Sequence, residues 1–427
     1  MTVTPIRSSV RFAAGRYMES QFDYRLLLDP DAYPEKPEAV EWAQTHISYL
    51  FFVGEHVYKV KKPVNFGFLD FTTLEKRRRC CEREVELNRR LAPDVYLGVA
   101  RVCQEEGRYR VDGSGPAVEY AVRMRRLPAD RTLDRLAERG EVDEAAMDDI
   151  AAIVADFHAR TLSDEMVLRF GDIASVRVDV DENFDQVRPY VGLTISAEDL
   201  ALIRDATYGF MSRNSALFDR RVQERRVRDC HGDLRAQHVF LSDKVYVIDC
   251  IEFNDRFRYI DVASEVAFLA MDLECLERRS MAQRFVTSYV EQSGDEDVLP
   301  LLGFYKCYRA FVRGKVDSFL LDDPALPASA RSQIIERTGR FFNLAAAYAR
   351  GLLLKPTLFV VCGLMGSGKT TMATGLGRWF DLDYESSDVT RKRAAGRGLL
   401  DQRREGYLQG LYADDVSERV YSELLRK

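Results

Sequence analysis

The chain has 427 residues, of which 46% are hydrophobic and 30% charged, with a formal net charge of -6. That profile belongs to a globular protein with material for two or three packed domains, and it argues against a surface given over to nucleic acid. No apolar run reaches membrane-spanning length and the N-terminus lacks the apolar stretch of a signal peptide, so a cytoplasmic location is expected. The eight cysteines contain no C-x-x-C pair and stand near no histidine at zinc-ligand spacing, which marks them as reduced and mostly buried.

In chain order, Ile47 to Val53 and His56 to Val60 are strand-like runs around Gly54-Glu55, a tight hairpin. Thr72-Thr73-Leu74-Glu75 has capping-box spacing and opens a helix that runs to about Leu91, where Ala92-Pro93 stops it. Val99 to Cys103, Tyr109 to Val111 and Glu119 to Met124 add strands, so residues 1–126 are expected to form a small, mainly β lobe with one helix. From 127 to 350 the pattern is mostly helical, interrupted between Val227 and Phe253, and Ser332 to Arg350 is its last helix. The run Thr357 to Cys362 is apolar throughout and predicts a buried parallel strand at the head of a further segment, 357–427.

Two phosphate-handling signatures stand on this frame. The first is His231-Gly232-Asp233-Leu234-Arg235-Ala236-Gln237-His238, followed by the apolar strand Val245-Tyr246-Val247-Ile248-Asp249. Phosphoryl transfer needs a carboxylate near the acceptor hydroxyl, hard oxygen ligands for Mg²⁺ and a cation on the nucleotide phosphates. Asp233 stands at the base position of H-x-D-x-x-x-x-N and Asp249 at a strand end suited to a metal ligand. Where the pattern has Asn, this chain has His238: either a metal ligand or a hydrogen-bond partner of Asp233, with the second reading favoured, and Glu252 is the alternative oxygen ligand. For the phosphate-binding cation Lys59 is chosen, with Lys61 a rival on the same strand face. Helical spacing turns only Glu84 inward as its partner, because Glu82 and Glu86 have charged neighbours at i±3 and i±4. His231 and His158 read as histidines that hold structure, and no G-x-G-x-x-G loop is present.

The second signature, Gly363-Leu364-Met365-Gly366-Ser367-Gly368-Lys369-Thr370, matches G-x-x-x-x-G-K-[ST]. Its glycines let backbone N–H groups turn onto a phosphate, while Lys369 reaches the β- and γ-phosphates and Thr370 the Mg²⁺. Only 57 residues follow Thr370, so the expected P-loop domain is an incomplete one that binds nucleotide without completing a reaction.

Residues 40 to 320 resemble the aminoglycoside phosphotransferase family through the H-G-D loop and the strand ending in Ile248-Asp249. The resemblance implies a two-lobed, protein-kinase-like α+β fold, ATP and Mg²⁺ as cofactors, and an Asp at Asp261 bracing the catalytic loop. The short distance from Asp249 to Asp261 leaves no room for a long activation segment, which favours a small-molecule acceptor. Gly363 to Thr371 together with Ser387-Asp388-Val389-Thr390-Arg391 resembles small P-loop kinases such as gluconate kinase and the polynucleotide 5′-kinases. That likeness implies nucleotide binding by Gly363, Gly366, Ser367, Gly368, Lys369, Thr370 and Thr371, with Asp388 as a base and Arg391 near an acceptor. Nearly the whole chain resembles bacterial bifunctional aminoglycoside phosphotransferase/ATP-binding proteins. Two rival readings are a regulatory nucleotide sensor on a degenerate kinase fold and a nucleic-acid end-processing kinase that uses the basic stretch Arg391 to Arg404.

Overall fold

The computed structural model describes residues 22–45, 47–324, 326–355, 357–364, 366–396 and 413–424. The chain divides into two units, Met1–Leu352 and Leu353–Lys427.

The first unit opens with β1 (Glu41–Gln44), β2 (Ser48–Val53) and β3 (His56–Lys61), continues through α1 (Leu74–Asn88), and adds β4 (Tyr96–Glu105), β5 (Arg108–Val111) and β6 (Ala117–Arg125). These strands form one antiparallel sheet in the order β1-β2-β3-β6-β4-β5. Gly54, at φ 55, makes the β2–β3 turn that a Cβ-bearing residue would strain. Period-two alternation decides the rest of β3. Tyr58 and Val60 enter an outer core with Phe51, Val53 and Val102, while Val57 packs with Cys81 and Val85 on the α1 side. Lys59 and Lys61 therefore share the face that looks at α1.

α1 begins one residue later than capping-box spacing predicts. Thr73 is the N-cap, its hydroxyl accepting from the Lys76 amide at 3.2 Å. Thr72 bonds back to Asp70 instead, through its amide at 3.0 Å and its hydroxyl at 2.6 Å, a local turn that competes with the cap.

The helical part runs α2 (Leu133–Arg139), α3 (Glu144–Arg160), α4 (Glu165–Leu168), α5 (Ile173–Val187), α6 (Ala197–Arg213) and α7 (Ser215–Gln223). Four short strands follow: β7 (Val227–Asp229), β8 (Val239–Leu241), β9 (Val245–Val247) and β10 (Tyr259–Asp261), with β7 paired to β10 and β8 to β9. Then come α8 (Val262–Cys275), α9 (Arg279–Ser293), α10 (Val298–Ser318) and α11 (Ala328–Leu353). Val154, Phe210, Phe268, Phe285, Phe304 and Phe342 belong to one continuous buried core. The two small ladders carry the loops that bear Asp233 and Asp249.

The second unit contains α12 (Lys369–Phe380), α13 (Ser387–Ala394) and α14 (Asp414–Leu424). Its described residues include no strand, which corrects the expectation for Thr357 to Cys362. Leu358 is 81% and Val360 75% exposed. A parallel strand exists only through a paired neighbour, and none of the described residues pairs with this segment.

Candidate active site

On the sheet side, β3 and α1 bring their charges together as their periodicities require. Lys59 Nζ donates to Glu84 Oε1 at 2.7 Å and to Asp249 Oδ1 at 2.6 Å. Lys61 donates to Glu84 Oε2 and to Glu252 Oε1, so Glu84, with no exposed surface, serves both lysines. Burial would raise the Glu84 carboxyl, but Lys59 and Lys61 hold it below the ordinary carboxylate range. Glu252 is committed to Lys61 and also accepts from the Cys80 thiol at 3.4 Å, with its side chain only 4% exposed. Both of these contacts fall on Glu252 Oε1.

Asp249 sits at φ 67, a left-handed conformation that costs a residue with Cβ about 1–3 kcal/mol and must be held by its surroundings. Its amide donates to Tyr96 Oη at 3.0 Å, the next amide, Cys250, donates to Asn88 Oδ1 at 2.9 Å, and Ile251 N reaches the His231 carbonyl at 3.1 Å. The last turn of α1 thus fixes the turn that aims Asp249. Desolvation by the surrounding protein would push its carboxyl up, yet the Lys59 ammonium keeps it well below the usual range. The side chain is 44% exposed.

The H-G-D loop is fastened from below by Glu265 of α8. Its carboxylate accepts from His231 N at 3.0 Å, from Gly232 N at 2.6 Å and from His158 Nε2 at 2.9 Å. Asp261, the residue implied for this bracing role, instead caps α8 through Ala263 N and forms a buried pair with Arg221 at 2.7 Å. The correction has a simple geometric cause: Glu265 is one helical turn further on, where α8 passes beneath the loop. His231 Nε2 donates to the Ile248 carbonyl at 3.0 Å while its Nδ1 accepts from Asp233 N at 3.3 Å. Burial pulls its pKa down to about 4 and keeps the ring neutral. His158, bonded to Tyr289 Oη at 2.8 Å and to Glu265, is a fully partnered interior histidine. His158, Cys230 and Glu265 bring donor atoms within 4.8 Å of one another, with the Cys230 thiol itself donating to the Ile260 carbonyl at 3.6 Å.

Asp233 forms a bidentate pair with Arg235, Nε to Oδ1 at 2.8 Å and Nη2 to Oδ2 at 2.9 Å. Burial opposes ionisation, but Arg235 and His238 hold the carboxyl down to about 2. His238 Nδ1 donates to the Asp233 main-chain carbonyl at 2.9 Å and lies 3.4 Å from its carboxylate. His238 Nε2 is 2.9 Å from Gln237 Nε2, 3.3 Å from Arg235 Nη2 and 3.6 Å from Asp249 Oδ2. The imidazole thus lies between the loop Asp and the strand-end Asp. Sequence reasoning assigned no role to Arg235, whose pairing with Asp233 only the folded loop shows.

In the second unit, Gly363, Gly366 and Gly368 take φ values of 153, 78 and 81, and Gly368 is the N-cap of α12, which starts at Lys369 and carries Thr370 and Thr371. Lys369 Nζ donates to the Leu364 carbonyl at 2.6 Å, curling over the loop, and the Ser367 hydroxyl lies beside Gly363. Asp388 opens α13 and pairs with Lys392 at 3.1 Å. Arg391 is buried, with Nη2 at 3.4 Å from Ser417 Oγ of α14, so it packs these helices together. Met365 and the basic residues of 397–404 lie outside the described residues.

No protein-family model matches the chain. The uncharacterized protein Rv2004c of Mycobacterium tuberculosis and the uncharacterized protein Mb2027c of Mycobacterium bovis are each 34% identical to it over 401 residues, 93% of this chain and 77% of theirs. Among solved structures, it is similar to a choline/ethanolamine kinase family protein from Mesorhizobium loti at 10% identity and a TM-score of 0.42, covering 73% of this chain and 92% of that one. Two more are an ethanolamine kinase of Plasmodium vivax, at 10% identity, a TM-score of 0.41 and coverage of 72% and 81%, and a microcompartment-associated aminopropanol kinase, at 14%, 0.40 and coverage of 74% and 95%. No helix of the described residues is long and apolar enough to cross a membrane.

Proposed function

We propose that this chain, which belongs to the family of the mycobacterial proteins Rv2004c and Mb2027c, transfers the γ-phosphoryl group of ATP to a hydroxyl of a small molecule. The observation that carries this reading is the arrangement around Lys59. Its ammonium bridges Glu84 and Asp249, while Asp233 stands across His238 from Asp249. Lys59 would hold nucleotide phosphates, oriented by Glu84; Asp233 would orient the acceptor hydroxyl and take up its proton as transfer proceeds. A carboxylate offers about four lone-pair sites and Arg235 uses two, so Asp233 keeps acceptor capacity for that hydroxyl.

The residues present fit one Mg²⁺. Lys59 and Lys61 face Glu84, Glu252 and Asp249, which leaves one negative charge in excess, and Asp249 is the partly exposed member of the set. Bound there, the ion would neutralise charge on the phosphates. The acceptor is read as a small alcohol; a nucleic acid is not implied. The P-loop of the second unit is proposed to hold a second nucleotide phosphate through the amides of Gly366 to Thr370 and the Lys369 ammonium, with no transfer step of its own.

The test is ATP consumption stimulated by a panel of sugars, nucleosides, amino alcohols and aminoglycosides, followed by detection of the phosphorylated product. Asp233→Asn should lower acceptor-dependent turnover by about 10²-fold or more, the scale of a lost general base. Unchanged turnover in that variant would remove Asp233 from the mechanism.

A further inference from the structure

The loop that carries Asp233 also carries a buried cation that a kinase-like site does not require for binding. We propose that Arg235 supplies, as a fixed guanidinium, the positive charge that a second Mg²⁺ brings to a two-metal site, so that the first unit works with a single metal held by Asp249. The inference rests on the phosphotransferase reading above and deepens it.

The hydrogen bonds of His238 decide what that position can bind. The main-chain carbonyl of Asp233 only accepts, so the 2.9 Å contact requires the proton on Nδ1. Nε2 then offers one lone pair. Gln237 Nε2 at 2.9 Å and Arg235 Nη2 at 3.3 Å both bring N–H groups to it, and a guanidinium has no acceptor to offer in return, which fixes the same tautomer independently. The only atom that His238 could give a metal is already an acceptor, with a full positive charge beside it. An amide oxygen in its place would present a hard ligand; an imidazole nitrogen is a poor one for Mg²⁺. The second-metal position of the pattern therefore does not fit a metal here.

What fills its electrostatic role is on the same loop. Arg235 is 8% exposed, locked onto Asp233 by two charge-assisted bonds, and in contact with the imidazole that faces Asp249. A preorganised cation of this kind stabilises charge on a transferring phosphoryl group without reorganising, and it cannot lose its proton at working pH. Its bidentate grip also explains how the loop keeps its shape with His238 in the Asn position.

The experiment counts metal directly. Bound Mn²⁺ is measured by electron paramagnetic resonance on the full chain with ATP, and compared with Asp249→Ala under the same conditions; any metal at the P-loop contributes equally to both. A difference of one ion per chain is expected. A difference of two overturns the inference while leaving the phosphotransferase reading intact, and a difference of zero removes Asp249 as a metal holder and overturns both. Arg235→Ala should lower turnover by about 10²-fold, with free guanidinium restoring part of it, as for other lost electrostatic donors. Turnover within twofold of the unaltered chain, or a loss that guanidinium does not touch, counts against the role. The double variant Arg235→Ala/His238→Asn should gain the second ion; the difference in count between the unaltered chain and Asp249→Ala decides the matter even if that variant fails to fold.

Discussion

Glu84 accepts from two lysines spaced two residues apart on β3, Lys59 at 2.7 Å on Oε1 and Lys61 on Oε2. The two ammoniums have different second partners. Lys59 continues to the partly exposed Asp249, Lys61 to the buried Glu252. One lysine therefore looks into the cleft and the other ties the strand to the segment beyond Asp249.

Substitution should separate these roles. Lys59→Met leaves Glu84 paired with Lys61, so unfolding in urea should shift little while acceptor-dependent turnover falls by about 10²-fold or more. Lys61→Met strands Glu252, and breaking a buried pair in this way costs on the order of 3–5 kcal/mol. Equal losses of stability in the two variants would show that the network does not divide as described.

The neutral, buried His231 gives the first unit a specific acid sensitivity. Its pKa is about 4 in the folded chain against an ordinary 6.5, so between these values the unfolded chain binds a proton that the folded chain does not. Stability from this group is complete above pH 6.5 and declines as the pH falls towards 4, by about 3 kcal/mol in all. Glu265, held down to about 2, and Asp233, also about 2, add their losses only below the ordinary carboxylate values. Urea denaturation between pH 7 and pH 5 therefore reads the histidine apart from Glu265 and Asp233. His231→Gln should flatten the slope there, and an unchanged slope would place the titration elsewhere.

Glu265 holds the loop through two backbone amides and His158. Glu265→Gln keeps the shape but offers one acceptor oxygen where the carboxylate offers two, leaving a buried N–H unsatisfied at a cost of about 1–3 kcal/mol. Turnover should fall with the nucleotide KM nearly unchanged, because Lys59 and Asp249 are not touched. A KM effect with normal kcat would mean that α8 supports nucleotide binding and leaves Asp233 in place.

These residues show what a sequence can reveal about such a site. Lys59, Lys61 and Glu84 were legible because strand and helix periodicities each select a face, and a buried charge needs a partner on the facing element. Asp233 and Asp249 were legible from spacing around an apolar strand. Glu265 was hidden: α8 is buried along most of its length, and nothing local marks which of its two early carboxylates, Asp261 or Glu265, passes under the loop. Arg235 was hidden for the opposite reason, since an Arg in a loop reads as solvated until its partner is located. The apolar run Thr357 to Cys362 misled because hydrophobicity records a need for cover, while strand formation requires a neighbour to hydrogen-bond.

The glycine loop of the second unit should bind nucleotide without contributing to turnover. Gly366 and Gly368, at φ 78 and 81, shape the turn that ends at the N-terminus of α12, where unpaired amides and the helix dipole favour an anion. Lys369 now donates to the Leu364 carbonyl at 2.6 Å and would exchange that bond for phosphate oxygens. Asp388 is paired with Lys392, and Arg391 is packed against Ser417. Lys369→Ala should therefore abolish or weaken one of two nucleotide sites in a calorimetric titration and leave acceptor-dependent turnover within about twofold. The outcome that reverses the assignment is specific. Turnover lost in Lys369→Ala but retained in Asp233→Asn would make the second unit the enzyme, and the Lys59–Glu84–Asp249 arrangement its regulator.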